Sequence, residues 1–352
     1  MSSSLSRLAA ATRVLYSRPV AIFLNASRLD YDRKLDFSRL ASLTDFRRND
    51  MDYVKDSRVL LKKVQGAEIV ITKEMEVPPD VLRQFPSSVK LLCEAGTGFN
   101  NIPVKQARSQ NILVCNVPTY STDAVAHMAI TYLMNLSISM IDQQQMLWKN
   151  DRSNFTGPFT LPLQEINGKT LGLIGGGGLI GSKVADVALQ LGMNIIISSR
   201  AGKLPDTHRH ANHPNVRVVK TTDMDKLLAE SDYVSIHCPL NDETRGTFGR
   251  AQIEKMKPTA FLINTSRGAI CNEPELIECL KENRIKGAGL DVTVGEPPEM
   301  DSELWKLPNV TLTPHIGWRR IETRQRLVDM TADNIEAYVN RKSESDMINV
   351  IN

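Results

Sequence analysis

The amino-acid sequence predicts an α/β protein built from two doubly wound, parallel-sheet domains. Apolar runs of strand length alternate with helical patterns from about residue 19 to residue 340, and this alternation is typical of parallel sheets. A glycine-rich turn lies near the middle of the chain, with the same alternation on both sides of it. At 352 residues, the chain is long enough for two domains of ordinary size.

The glycine-rich turn lies within Lys169–Arg200, a stretch with the order strand, turn, helix, strand. The apolar run Leu171–Ile174 ends at four glycines, and apolar residues then recur at helical spacing. Gly176, Gly178 and Gly181 have the G-x-G-x-x-G spacing of dinucleotide-binding turns. Glycines let the backbone approach a pyrophosphate, and the helix that begins there directs free N–H groups and its positive dipole end at the phosphates. We therefore predict a dinucleotide site.

A second interpretation of the turn starts at Gly175 and Gly177, and it places Ile180 at the third glycine position. The third glycine allows the helix to pack closely on the strand, so we prefer the interpretation with Gly181 in that place. Leu179 and Ile180 then begin the helix and are predicted to contact the cofactor together with the glycines.

The second strand of this unit ends at Ser198, Ser199 and Arg200, without a carboxylate. An NAD site usually has Asp or Glu at this point to accept from the ribose hydroxyls. A guanidinium instead pairs with a 2′-phosphate, so the sequence favours NADP(H) over NAD(H), with Ser199 and Arg200 as contacts. The alternative is that Arg200 is solvated or stacks on adenine, and that NAD is used without a carboxylate.

Composition argues against several other classes of protein. The 43 basic and 40 acidic residues give a net charge of +3, which is too small to indicate a nucleic-acid or membrane-surface partner. No apolar run approaches the roughly 18 residues of a membrane span. The five cysteines are scattered and form no C-x-x-C pair, which predicts reduced thiols and no metal site.

Residues 1–18 differ from the rest of the chain. They contain three arginines and four early serines, and they contain no acidic residue. This composition is typical of a mitochondrial transit peptide. The alternative is a disordered extension on a cytoplasmic protein.

The mid-chain position of the nucleotide turn predicts an inserted domain. We expect residues 122–318 to form the dinucleotide-binding domain, and residues 19–121 with 319–352 to form a substrate-binding domain. One long helix, Thr122–Trp148, is predicted to begin the inserted domain. Ligands are expected at the carboxyl ends of the strands.

Three polar residues that could perform chemistry follow predicted strands. Arg267 comes after the strand Phe261–Asn264, Glu296 after a strand that ends near residue 292, and His315 after Val310–Thr313. Reduction of a 2-oxo acid needs a cation for the carboxylate and carbonyl oxygen, a proton for the alkoxide, and a carboxylate to orient the proton donor. Arginine, histidine and glutamate supply these groups. Taken singly, however, an arginine after a strand usually forms a surface ion pair, and a histidine after a proline usually lies in a turn.

Longer segments resemble the D-isomer-specific 2-hydroxyacid dehydrogenase family from about residue 20 to residue 340. The matching segments are Gly96–Ile102, Asn116–Ala126, the glycine-rich unit, His237–Leu240 with Glu243 and Thr244, Asn264–Gly268, Leu290–Val292 with Glu296 and Pro297, and Pro314–Trp318. The residues around Trp318 and the segment Cys115–Pro118 are most similar to glycerate dehydrogenases and hydroxypyruvate or glyoxylate reductases. The glycine turn is one residue longer than the usual form in the family.

The resemblance implies a Rossmann cofactor domain inserted into a flavodoxin-like substrate domain, and a homodimer formed through the cofactor domain. It implies that Arg267 binds the carboxylate and carbonyl, that His315 donates the proton, and that Glu296 is its partner. It places Asp291 at the nicotinamide carboxamide. The implied substrate contacts are Gly96, Thr97, Gly98, Arg267 and Trp318, and the implied cofactor contacts outside the glycine turn are Ser199, Arg200, His237, Pro239, Thr265 and Asp291.

The predicted function is NADPH-dependent reduction of a small 2-oxo acid such as hydroxypyruvate or glyoxylate. Another D-2-hydroxyacid dehydrogenase activity, on D-lactate, formate or phosphoglycerate, is the first alternative. A non-catalytic NAD(P)H-sensing protein is the second, because the family includes transcriptional corepressors. The sequence determines neither the natural acid nor the physiological direction of the reaction.

Overall fold

The computed structural model describes residues 18–50, 57–341 and 343–352. The predicted targeting segment therefore lies outside the described residues, apart from its last residue, Arg18. The chain divides into two compact units. The first contains the described residues up to Val117 together with Leu327–Asn352, and the second is Pro118–Arg326. These divisions fall four and eight residues from the boundaries expected at residues 121 and 318.

The first unit contains a five-stranded parallel sheet. Its strands are β1 (Val20–Phe23), β2 (Asp45–Arg48), β3 (Ile69–Thr72), β4 (Leu91–Glu94) and β5 (Leu113–Cys115). Its first helices are α1 (Ser38–Leu43), α2 (Ser57–Lys63), α3 (Pro79–Leu82) and α4 (Val104–Ser109). The strand order is β2-β1-β3-β4-β5, which is the order of flavodoxin-like sheets. Because helices cover the sheet, the central strands β3 and β4 and the edge strand β5 are buried on both faces.

The second unit contains a seven-stranded parallel sheet. Its strands are β6 (Thr170–Ile174), β7 (Asn194–Ser199), β8 (Val216–Lys220), β9 (Tyr233–Ile236), β10 (Phe261–Asn264), β11 (Gly287–Leu290) and β12 (Val310–Leu312). Its helices are α5 (Thr122–Ile138), α6 (Met140–Trp148), α7 (Leu179–Gln190), α8 (Met224–Glu230), α9 (Arg250–Ile253) and α10 (Glu273–Lys281), and α11 (Ile321–Asn340) begins at its end. The strand order is β12-β11-β10-β9-β6-β7-β8. The two parallel-sheet domains predicted from the sequence are confirmed.

The order of the second sheet contains a topological switch point. From β6 the chain proceeds to β7 and β8 on one side, and it then crosses to β9 and continues outward to β12 on the other. In open parallel sheets, ligands bind at the carboxyl ends of the strands beside such a point. The glycine turn follows β6, so it lies at this position.

The prediction of one long helix from Thr122 to Trp148 is wrong. The helix breaks at Ser139, which has a left-handed φ of 50°. The Ser139 hydroxyl donates a hydrogen bond to Pro162 O (2.8 Å). Helix α5 packs Met128, Tyr132 and other apolar residues into the core, whereas α6 buries no residue. Among the described residues, no single helix is long and apolar enough to cross a bilayer. Helices α5 and α6 reach that length and apolar content only when taken together, and the pair is bent by 62°.

Candidate active site

The pairing of β10, β11 and β12 brings three predicted site segments to one edge of the sheet. Asn264 at the end of β10 lies opposite Leu290 of β11, which lies opposite Leu312 of β12. Arg267, Asp291 and His315 follow these strand ends by three, one and three residues. Because all three strands are parallel, the three segments leave the sheet at the same edge.

The glycine turn packs too tightly for side chains at several positions. Gly175 has a φ of +77°, and a Cβ there would lie 2.7 Å from the backbone nitrogen of Cys238, just after β9. A Cβ on Gly181 would lie 2.5 Å from the Cα of Gly176. This close approach of Gly176 and Gly181 is the helix-to-strand packing that the preferred G-x-G-x-x-G interpretation requires.

The open side of the turn fits a pyrophosphate. Helix α7 begins at Leu179, and its N-cap, Gly178, offers no side chain to the first N–H groups of the helix. Those groups have no acceptor within an α-helix, and they include the N–H groups of Ile180 and Gly181. A Cβ on Gly178 would contact only Gly175 O, at 3.5 Å. The turn is therefore open beside Gly178, where the backbone would come closest to a phosphate. The residues present therefore fit the phosphates of a dinucleotide.

The end of β7 has the chemistry expected from the sequence. Ser199 closes the strand, and its hydroxyl donates to Lys203 O (3.0 Å). Arg200 is exposed in the loop that follows. Arg200 thus presents a solvent-accessible guanidinium at the strand end where NAD-specific sites place a carboxylate.

His315 and Glu296 form the hydrogen-bonded pair that the sequence predicts. Nδ1 of His315 lies 2.7 Å from Oε2 of Glu296. His315 has a left-handed φ of 50°, which is uncommon for a residue other than glycine. A carboxylate at Nδ1 keeps the proton on that nitrogen, so proton transfer to a ligand falls to Nε2. The pair therefore has the orientation of a histidine general acid with its carboxylate partner.

Asp291 holds the backbone around His315. Its buried carboxylate accepts hydrogen bonds from the backbone nitrogens of Ile316 and Gly317 (2.8 Å each) and from the Thr313 hydroxyl (2.5 Å). The Tyr132 hydroxyl in turn donates to the Thr313 oxygen (2.6 Å), and burial raises the pKa of Tyr132, so this donor stays protonated. No local pattern in the sequence indicates this function of Asp291. The implied contact with the nicotinamide carboxamide stays a prediction.

The Arg267 segment packs directly on the segment that leads to Glu296. A Cβ on Gly268 would lie 2.0 Å from the carbonyl carbon of Thr293, so only glycine permits this approach of two backbones. Asn264 fixes the segment from the other end, since its side-chain nitrogen donates to Arg267 O (3.0 Å). The two loops that carry the arginine and the glutamate are therefore held against each other.

Burial controls the protonation of His237. Burial lowers the pKa of His237 to about 4, and its Nε2 lies 2.9 Å from the Ser235 hydroxyl. It is therefore neutral near pH 7 and is a poor general acid. Its place beside the cofactor stays a prediction, as do those of Pro239, which is exposed, and Thr265, which is buried.

Three residues that follow the His315 segment have structural contacts that the sequence does not indicate. Trp318 is buried, and the guanidinium of Arg319 lies 5.6 Å from the centre of its ring. Arg320 donates to the carbonyl oxygens of Ala124 and Gly317 (2.8 and 2.9 Å), so it ties the start of α5 to the His315 loop. The sequence contains no local signal for this long-range contact. Trp318 as a wall of the substrate pocket stays a prediction.

The turn Gly96-Thr97-Gly98 belongs to the first unit and follows β4. The N–H of Gly96 donates to Glu94 O (2.8 Å), so this predicted donor to a substrate carboxylate is engaged within the unit. Asn116 donates to Thr97 O (2.8 Å), which fixes the middle of the turn. Gly98 is partly exposed, and its substrate contact, like that of Thr97, stays a prediction.

A nucleotide turn at the switch point and a histidine–glutamate pair at the same sheet edge as an arginine define a nicotinamide-dependent dehydrogenase. Comparison with known proteins identifies its family. The model described as the NAD binding domain of D-isomer specific 2-hydroxyacid dehydrogenases matches residues 128–317. The chain belongs to this family of oxidoreductases, which act on CH–OH groups, and it has the family's NAD(P)-binding domain.

Full-length relatives support the same assignment. The chain is 32% identical over 320 residues to a hydroxypyruvate reductase of Blautia hydrogenotrophica. This match covers 90% of this chain and 95% of the relative. It is 34% identical over 295 residues to a glyoxylate reductase of Thermococcus litoralis, and this match covers 83% of this chain and 86% of the relative. The crystal structure of a glyoxylate reductase from Paecilomyes thermophila superimposes with a TM-score of 0.79 at 25% identity. The superposition covers 96% of this chain and 99% of that structure.

Proposed function

We propose that the chain reduces a small 2-oxo acid, hydroxypyruvate or glyoxylate, to the D-2-hydroxy acid with NADPH. The observation that carries this proposal is the 2.7 Å bond between His315 Nδ1 and Glu296, at the sheet edge shared with Arg267 and the glycine turn. The names of the relatives from Blautia and Thermococcus support the substrate class.

Each residue of the site has a distinct part in the reduction. The nicotinamide supplies the hydride when it is bound. Arg267 binds the carboxylate and carbonyl oxygen with its fork of donors and stabilises the negative charge that develops on the oxygen. His315 gives a proton from Nε2 to that oxygen, while Glu296 accepts from Nδ1 and orients the ring.

Steady-state kinetics with three acids and two cofactors test this function. Glyoxylate, hydroxypyruvate and pyruvate would each be measured against NADPH and NADH. We expect the highest kcat/KM for glyoxylate or hydroxypyruvate with NADPH. A higher value for pyruvate would favour a lactate dehydrogenase, and no turnover of any acid would favour a non-catalytic cofactor-sensing protein.

Arg200 is the residue proposed to select NADPH. Arg200→Ala is expected to weaken NADPH binding roughly 10- to 100-fold, because a charge-assisted hydrogen-bonded pair is lost, and to leave NADH binding within about twofold. Arg217→Ala is a matched control, since Arg217 on β8 is also exposed but pairs with Glu230. Titration of protein fluorescence with each cofactor gives the Kd. Equal weakening of both cofactors, or of neither, would contradict the assignment of Arg200.

We further propose a homodimer formed through α6 and the segment after it. None of the nine residues of α6 is buried within the chain. Its apolar side chains Met140 and Trp148 are 57% and 77% exposed. Phe155, in the segment that follows, is 76% exposed. Several exposed apolar side chains within one segment are typical of a protein interface. A second copy of the chain is the occupant that the family resemblance implies.

A charged substitution in this surface should dissociate the dimer. Trp148→Glu removes the largest exposed aromatic side chain and introduces a charge that an apolar interface would have to desolvate. We expect sedimentation-velocity analysis to show a dimer for the parent chain and mostly monomer for the variant at micromolar concentration. Trp305→Glu is the control, because Trp305 is also half exposed but lies on another part of the unit. An unchanged dimer in Trp148→Glu would place the interface elsewhere.

A further inference from the structure

The loop between β7 and β8, residues 200–215, packs directly on the glycine turn. A Cβ on Gly177 would lie 3.0 Å from Leu204 Cδ2, and Leu204 is buried. Nε2 of His208 lies 2.8 Å from the hydroxyl of Ser182 in the first turns of α7, and the backbone of Gly177 is close enough to affect the pKa of the His208 ring. The loop therefore contacts both the turn and the helix that the turn begins. The G-x-G-x-x-G pattern contains no residue that accounts for this contact.

The hydrogen bonds of His208 determine which ring nitrogen carries the proton. The backbone N–H of His210 donates to Nδ1 (3.2 Å), so Nδ1 is an acceptor and the neutral ring carries its proton on Nε2. Burial, together with the charges of His210 and Arg209, lowers the pKa of His208 against the opposing effects of Gly177 and Asp186. The ring is therefore neutral near pH 7, and Nε2 is a donor directed at Ser182 and the turn.

A second set of contacts fixes the same loop one helical turn further along α7. Asp186 accepts from Nε2 of His210 and from Nη1 of Arg209, both at 2.7 Å, through its two carboxylate oxygens. Ser182 and Asp186 are four residues apart, so they lie on one face of the helix. The loop is thus held to α7 at two successive positions, and it carries the exposed cations Arg200 and Lys203.

We propose that His208 is a positioning residue for the phosphates of the dinucleotide. It holds the loop of residues 200–215 and the glycine turn in one arrangement before the cofactor arrives, so binding does not have to order them. This inference rests on the proposed dinucleotide site and extends it to a residue outside the motif. Because the turn faces the pyrophosphate that both cofactors share, His208 affects the binding of both NADPH and NADH, in contrast to Arg200.

Direct binding measurements test the proposal. His208→Ala is expected to weaken the binding of both NADPH and NADH, each roughly three- to tenfold or more, because one hydrogen-bonded contact is lost. His208→Gln supplies an N–H donor of similar reach and should restore most of the affinity. His213→Ala is the matched control, since His213 lies in the same loop but its Nδ1 accepts from the backbone N–H of Asn215. Weakening of NADPH alone, or equal weakening in the control, would overturn the proposal.

Hydrogen–deuterium exchange of the cofactor-free chain gives a readout independent of binding. We expect faster exchange in His208→Ala for amides of residues 204–211 and 176–182, with no change in the first unit. Ser182→Ala should show the same pattern, and the double variant should show no further increase, because both residues belong to one contact. Unchanged exchange in His208→Ala would overturn the proposal. If the parent chain bound no dinucleotide, the proposed function would fail, but the exchange result would still decide whether His208 holds the loop.

Discussion

Replacing His315 by asparagine is expected to lower kcat for 2-oxo acid reduction by roughly 10²- to 10⁴-fold, while the Kd for NADPH stays unchanged. The loss follows from removing the proton donor to the developing alkoxide. Asparagine is the better substitution because it tolerates the left-handed backbone of residue 315, where φ is 50°, whereas alanine adds strain. Stopped-flow measurement of NADPH oxidation gives kcat, and fluorescence titration gives Kd.

A companion variant separates orientation from proton donation. Glu296→Gln keeps a group that accepts from His315 Nδ1 but removes the charge, so we expect a smaller fall in kcat than in His315→Asn. Turnover in His315→Asn that equals that of the parent chain would remove His315 from the mechanism. A fall in cofactor affinity of the same size as the fall in kcat would show a structural effect instead.

Replacing Arg267 by lysine is expected to lower kcat/KM for the 2-oxo acid by roughly 10²- to 10³-fold. Lysine keeps the positive charge but cannot supply the planar fork that binds a carboxylate and a carbonyl oxygen together. Part of the loss should appear in kcat, because the charge on the oxygen grows in the transition state. The cofactor Kd should change little.

An arginine outside the site provides the control for Arg267. Arg284 is exposed and pairs with Glu282, so Arg284→Lys should retain the kcat/KM of the parent chain. A value for Arg267→Lys equal to that of Arg284→Lys would contradict the proposed function of Arg267. A change confined to the cofactor Kd would move Arg267 from the substrate to the cofactor.

The strand that precedes Arg267 could be predicted because it is buried on both faces. A continuous apolar run such as Phe261–Asn264 identifies a strand in the interior of a parallel sheet, and its end locates Arg267. The edge strands β2 and β8 carry no such signal, since they are half exposed and their sequences mix apolar and charged residues. Local pattern therefore predicts the centre of each sheet better than its edges.

The contacts that hold the site together could not be predicted. Asp291 binds the backbone of residues 316 and 317, which are 25 and 26 positions away in the chain. No local pattern shows which distant N–H group a buried carboxylate meets. The break at Ser139 had no glycine or proline to mark it, and the contact of His208 with Ser182 joins a loop to a helix across 26 residues. Such contacts depend on the packed structure.

Transfer of deuterium from NADPH carrying deuterium at both C4 positions to hydroxypyruvate tests the central claim most directly, since it follows the hydride itself. The substrate would be incubated with the chain and the labelled cofactor, and the product analysed by mass spectrometry and chiral chromatography. The account predicts D-glycerate with one deuterium at C2, and no product in His315→Asn on the same timescale. Unlabelled glycerate, or glycerate of the L configuration, would contradict it.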